Sequence, residues 1–234
     1  MEFMFMIARW SHIIGGFLAL CVFWIPIVTK KGRKTHRRSG WVYVVAMSIV
    51  SISALYMGIY RLAWDSSFHA EDVPFSWFLI FIAILSGGAV WYGLRVLRYK
   101  KRSLAHRKLV DLLLPILLLI SGIAISIYGW KIDFPLLKFF PIVGVFLGGV
   151  QLQYWLSAPT RRSHWIVEHI IGMLSCCIAT VTAFTVFGAP RLLQIESVSL
   201  VVWIIPILVF VPLILGFTTY YTNKMDGKRP IYTK

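Results

Sequence analysis

Long apolar stretches separated by short polar ones set the pattern of the chain. Seven runs can be read, at residues 11–29, 40–62, 75–97, 109–128, 137–156, 165–187 and 199–221. Each is close to the twenty or so residues that a helix needs to cross ~30 Å of hydrocarbon. The runs are continuous, without the in-out alternation of a membrane barrel strand, so helices are the expected spans. The pattern predicts an all-α transmembrane fold, a seven-helix bundle occupying residues 1–234 as one polytopic domain. The connections are short and leave no stretch for a separate soluble catalytic module.

Composition agrees with this reading. Of 234 residues, 59% are hydrophobic and only 14% charged, too little charge to cover a soluble protein of this size. A net charge of +15 would point to nucleic acid in a soluble chain. Its placement points instead to the bilayer. Six Lys and Arg lie in 30–38, seven in 95–108, Arg161 and Arg162 in the third basic loop, and four in the tail from Lys224. The alternate side receives only Arg9, Arg61, Lys131, Lys138 and Arg191, together with the acids Glu2, Asp65, Glu71, Asp72, Asp133 and Glu196. This positive-inside bias predicts an outside N-terminus and a cytoplasmic C-terminus in a cell membrane. The expected partners are lipid and anionic headgroups on the inner face, with no nucleic acid.

The three basic loops resemble one another: "RKTHRRSGW", "SLAHRKLVD" and "RRSHWIVEH". Each places a histidine (His36, His106, His164) after a small residue, at intervals of 70 and 58 residues. The spacing is that of repeated helix hairpins, three of them followed by one further helix. Thr35, Ser103 and Ser163 are candidate helix caps, and helix N-termini with dense cations disfavour a protonated imidazole. Neutral imidazole is the form that binds metal or haem iron.

Ionisable groups one turn deeper sharpen the expectation, because within a span they face the bundle interior. Asp111 follows His106, with Arg107 four residues before it as a neutralising partner. Glu168 and His169 follow His164. Gln151, Gln153 and Tyr154 lie near the inner end of the fifth run, and Trp91, Tyr92 and Arg95 near that of the third. Three chemistries fit these residues. A haem b or quinone-like cofactor would use His36, His106, His164, His169, Gln151 and Tyr154. A divalent metal would use His36, His106, His169, Glu168 and Asp111. An anion would be held by Arg37, Arg38, Arg107, Lys108, Arg161 and Arg162 near helix N-termini. All three predict that the inner ends of the second, fourth and sixth runs surround one cavity.

Cys21, Cys176 and Cys177 read as buried apolar residues, with no metal or disulfide spacing. The N-terminus lacks the basic region and cleavage site of a signal peptide, so its first run is expected to be a retained span. No phosphate loop, nucleophile elbow or dinucleotide turn is visible. "LSGGAV" and "FLGGVQ" read as close-packing signals. Pro26, Pro115, Pro206 and Pro212 are expected to kink their helices. A seven-span zinc hydrolase is disfavoured, since the seventh run has neither histidine nor carboxylate.

"SHIIGGFLAL", "KKGRKTHRRSGWVYVVAM" and "LAHRKLVDLLL" resemble a bacterial family of polytopic membrane proteins, the domain of unknown function 2306 family. The matching positions are His12, Lys31, Gly32, His36, Arg37, Gly40, Tyr43, His106 and Arg107, covering the first four runs. The resemblance implies a bacterial cytoplasmic-membrane protein and brings no catalytic residues with it. The leading functional expectation is a redox-linked protein binding haem, quinone or a metal at the histidine cluster. The alternatives are a small-molecule or proton-coupled transporter, or a non-catalytic assembly partner of a membrane complex.

Overall fold

The computed structural model of the chain describes residues 2–65, 69, 72–194 and 200–227. Among these, seven helices are long and apolar enough to cross a membrane, which makes the chain a multi-pass membrane protein. Ser199 of the expected seventh run, the acids Glu71 and Glu196, and the tail cations Lys228, Arg229 and Lys234 lie outside the described residues.

The helices are α1 (Glu2–Val22), α2 (Trp24–Val28), α3 (Lys34–Trp64), α4 (Val73–Arg95), α5 (Leu109–Lys131), α6 (Pro135–Leu156), α7 (His164–Ala183), α8 (Ala189–Leu193) and α9 (Leu200–Asp226). The first expected run is split at Phe23. Pro26 has no N–H for the Val22 carbonyl and its ring crowds that turn, so α1 stops and α2 restarts. Gly32 then adopts φ +80°, a left-handed turn that favours glycine, to bring the chain into α3. That helix starts at Lys34, six residues before the apolar run, because lysine and arginine propagate a helix well. Between α7 and α8 lies a π-helical turn, Phe184–Gly188. Pro190 cannot donate to the Val186 carbonyl, and a wide turn takes up such a mismatch. Pro115, Pro141, Pro206 and Pro212 all lie inside continuous helices.

The expected helix caps are not used. The residue preceding α3 is Arg33, with Thr35 already inside the helix, and Ser103 lies in the loop well before α5. Ser163 does occupy the capping position of α7, yet its hydroxyl bonds elsewhere. The three loop histidines also sit differently: His36 in the first turn of α3, His106 in the loop before α5, His164 opening α7.

Two compact units divide the chain: Met1–Gly88 with Leu112–Leu152, and Ala89–Asp111 with Gln153–Lys234. In the first, α1 and α2 pack on α3, and Ala19, Tyr43, Ala46, Met47, Phe78 and Phe81 are buried. Ser51 Oγ donates to the Ala83 carbonyl at 2.7 Å, joining α3 to α4 without leaving a polar group in the apolar interior. One glycine of each double-glycine pair meets a neighbouring helix: Gly87 faces the Ser51 side chain, and a Cβ on Gly148 would stand 2.8 Å from the Pro115 carbonyl oxygen. In the second unit α7 packs on α9. Here Gly172 of α7 lies against α4, where a Cβ would come within 2.9 Å of the Gly93 Cα. Only paired glycines allow that approach, and it sets the depth at which the polar side chains of α4 and α7 meet. Cys176 and Cys177 are buried in this unit, whereas Cys21, expected inside, is exposed on α1. Outward-facing Ile204, Leu208, Val209 and Leu215 of α9 present the apolar surface that lipid requires.

Candidate functional site

The chemistry-bearing side chains of the second unit cluster where α4 ends, α5 begins, α6 ends and α7 begins. Asp111, in the first turn of α5, is 1% exposed. Arg95, the last residue of α4, grips its carboxylate with both arms: Nε donates to Oδ1, and Nη2 donates to Oδ2 at 2.8 Å. His106 adds a third bond, Nε2–H to Oδ2 at 2.7 Å. Asp111 is therefore neutralised by Arg95, sixteen residues away in sequence, and not by Arg107 as its spacing suggested. Arg107 points outward and is exposed. The bidentate fork meets a planar carboxylate better than a side chain reaching along one helix turn could.

Arg102 organises the neighbouring helix end. The last carbonyls of α6 have no partners within the helix. Arg102 supplies them: Nη2 donates to the Tyr154 carbonyl at 2.8 Å, and Nη1 to those of Trp155 at 3.0 Å and Ser157 at 2.8 Å. The backbone N–H of His106 also donates to the Trp155 carbonyl, at 2.7 Å. A cation here also complements the negative end of the helix dipole. Around it the rings pack closely. Trp155, 1% exposed, meets His106 at 4.8 Å between centroids, Tyr154 at 5.0 Å, Tyr99 at 5.6 Å and Tyr92 at 5.9 Å. Arg102 stacks over Tyr154 at 4.5 Å.

The remaining polar contacts join α4 and α6 to α7. The Tyr92 hydroxyl donates to Glu168 Oε2 at 2.6 Å. His169 Nδ1–H donates to the Gly93 carbonyl at 2.7 Å, made accessible by the glycine crossing. The Tyr154 hydroxyl and His164 Nδ1 are hydrogen-bonded at 2.9 Å. At the start of α7, Ser163 donates its N–H and its hydroxyl to Asp226 of α9, at 3.2 and 2.5 Å. A carboxylate of the chain itself thus stands at the start of α7.

The two embedded carboxylates differ in kind. Asp111 is held by a permanent cation and an imidazole. Glu168 has a neutral phenol as its hydrogen-bond partner, with Arg102 acting on it through space. A phenol donates to a carboxylate and accepts from a carboxylic acid, so the Tyr92–Glu168 pair can persist in either protonation state.

Of the residues expected to bind a ligand, His106, His164, His169, Tyr154, Glu168 and Asp111 fall in this cluster. Within it His106 bonds Asp111 and Tyr154 bonds His164, whereas Glu168 bonds Tyr92 and His169 the Gly93 carbonyl. His36 and Gln151 belong to the other unit. His36 Nδ1–H donates to the Pro26 carbonyl at 3.0 Å, beside Lys31, whose Nζ donates to the carbonyls of Pro26 and Ile27 at 2.8 and 2.6 Å. Together they cap α2, and burial lowers the Lys31 pKa below the usual lysine value. His12 has a comparable part, its Nδ1–H donating to the Val50 carbonyl at 3.1 Å between α1 and α3. Arg37, Arg38, Lys108, Arg161 and Arg162 are exposed.

Among the described residues no group of three His, Cys, Asp or Glu side chains is placed to hold a metal ion. Asp111, His106 and His169 each direct at least one ligating atom to a protein partner, and Glu168 directs an oxygen to Tyr92. Arg102, Trp155 and Asp226 carry much of this architecture without having been singled out. Arg102 is hidden in a run of basic residues that topology already explains. Asp226 was the detectable one, the single acid of the basic side that lies outside the apolar runs. No protein family, curated protein or solved structure matches the chain.

Proposed function

We propose that the chain is a proton-coupled carrier of the bacterial cytoplasmic membrane, with its N-terminus outside and its C-terminus inside. Glu168 takes up and releases the coupling proton at the cytoplasmic end of the α4–α7 pair. The observation that carries this reading is the Tyr92–Glu168 hydrogen bond at 2.6 Å, made by a carboxyl group without an ion-pair partner among the described residues. Asp111 is a structural anchor by the same reasoning, since protonating it would strand Arg95 and His106. His164 lies one turn from Glu168 toward the loop, half-buried and bonded to Tyr154, and serves as the exchange point with water. The seven apolar helices support the membrane and the charge bias of the loops supports the orientation, while the bacterial assignment rests on the resemblance to the domain of unknown function 2306 family alone. The redox alternative has less to stand on, because among the described residues no group of three His, Cys, Asp or Glu side chains is placed to hold a metal ion.

Infrared difference spectroscopy of the purified full chain across a pH titration tests this. The expected result is a protonated-carboxyl C=O band that appears reversibly with acid, vanishes in Glu168→Gln and moves in frequency in Tyr92→Phe. An identical band in wild type and Glu168→Gln would remove Glu168 from the mechanism.

A further inference from the structure

A groove on the second unit, where the start of α7 meets the end of α9, takes no part in the cluster around Glu168. It is an open groove of about 430 Å³ lined by Arg161, Val167, Thr218, Thr219, Thr222 and Asn223. Its walls are pinned together by the two bonds from Ser163 to Asp226. That latch occupies both oxygens of Asp226, and Arg161 forms no ion pair among the described residues. Thr218 donates its hydroxyl to the Ile214 and Leu215 carbonyls, at 2.8 and 3.1 Å. The side chains of Thr219, Thr222 and Asn223 have no protein hydrogen-bond partner among the described residues.

The groove therefore offers one guanidinium, two free hydroxyls and a carboxamide, with no carboxylate in its lining. Val167 and the threonine methyls add apolar surface beside them. Charge balance points the same way: 24 Lys and Arg face only 9 Asp and Glu, so most cations must find anions outside the chain. Val167 and Thr218 to Asn223 lie within candidate membrane spans. An anion reaching this groove must tolerate hydrocarbon on one side. A guanidinium sharing one groove with hydroxyl and amide donors suits a phosphate diester, and the membrane setting suits one carrying acyl chains. We propose that this groove binds the phosphate headgroup of an anionic phospholipid, independently of any proton chemistry at Glu168.

The test follows thermal unfolding of the full chain in neutral detergent while phosphatidylglycerol, phosphatidylcholine or inorganic phosphate is added. Phosphatidylglycerol is expected to raise the wild-type Tm saturably. Arg161→Gln should need about tenfold more of it for the same rise, the loss of one charge-assisted contact. Thr222→Val, which leaves every charge in place, should weaken the response in the same direction, while Arg162→Gln, outside the lining, should match wild type. An undiminished response in both Arg161→Gln and Thr222→Val overturns the proposal. So does an equal response to phosphatidylcholine. An equal response to inorganic phosphate also overturns it, by making the groove a free-anion site.

Discussion

Replacing Asp111 with alanine strips three hydrogen bonds from a carboxylate that is 1% exposed. Arg95 has a side chain only 12% exposed and retains the Tyr99 hydroxyl, at 3.1 Å, as its hydrogen-bond partner among the described residues. His106, 8% exposed, loses its Nε2 acceptor as well. Removing one member of a buried pair costs about 3–5 kcal/mol, because the surviving charge stays desolvated. At about 2–4 °C per kcal/mol for a chain of this length, the midpoint should fall by roughly 6–20 °C. Thermal unfolding of the detergent-solubilised protein measures it. Arg107→Ala serves as the comparison, since that exposed side chain should change stability by less than about 0.5 kcal/mol. The double variant Arg95→Met, Asp111→Leu should recover most of the loss, as apolar pairs of similar size often replace buried ion pairs at little cost. If Asp111→Ala behaves like Arg107→Ala, or couples to Arg107 and not to Arg95 in a double-mutant cycle, the three-partner anchor is wrong.

Arg102→Gln should destabilise the fold by about 1–3 kcal/mol through the uncapped α6 carbonyls, read by the same unfolding assay, with Arg102→Lys intermediate. Faster amide exchange confined to the end of α6 would mark the loss as local, and uniform exchange would count against it. Gly172→Val should cost more than Gly172→Ala, because even one Cβ reaches within 2.9 Å of the Gly93 Cα. Asp133, outside the spans, is held below its ordinary pKa of 3.8 by the adjacent Lys138 ammonium. A depressed carboxyl pKa stabilises the fold above the ordinary value, and the gain disappears as pH falls through the lower, folded value. Asp133→Asn should therefore differ from wild type in salt-sensitive stability near neutrality and converge with it in strong acid.

Much of the fold was legible because the bilayer restricts it. Seven runs of sufficient length correspond to seven long helices, and most boundaries moved by only a few residues. The larger shifts lie at the start of α1, which begins at Glu2, past the end of α7, where the span continues to Leu193, and at α3, where Lys34 to Ser39 prolong the helix because basic side chains favour it; Pro26 cuts the first run in two. Side-chain partners were less legible. Periodicity relates residues three or four apart on one helix, so Arg107 looked like the partner of Asp111. It is blind to Arg95, which reaches Asp111 across the whole connection between α4 and α5. Trp155 likewise carries no periodic signal that separates it from the other aromatics of the apolar runs, although four neighbouring rings pack on it.

The cluster also shows why two embedded carboxylates need not share a role. A buried acid costs free energy unless it is neutralised or hydrogen-bonded, and the two are accommodated in opposite ways. Asp111 sits among a guanidinium and an imidazole, a set that holds only while the acid stays ionised. Glu168 meets a hydroxyl, which reverses its donor role at no structural loss. The glycine crossing at Gly93 and Gly172 lies close by on the same two helices, so α4 and α7 can approach closely enough for a 2.6 Å bond with no bulk beside it. Widening that crossing with Gly172→Ala should therefore weaken the Tyr92–Glu168 bond before it touches Asp111. In the infrared titration this would move the Glu168 band toward that of Tyr92→Phe, while the Arg95–Asp111 anchor keeps the helix ends in place. A Gly172→Ala band indistinguishable from wild type would mean that the crossing does not govern the pair.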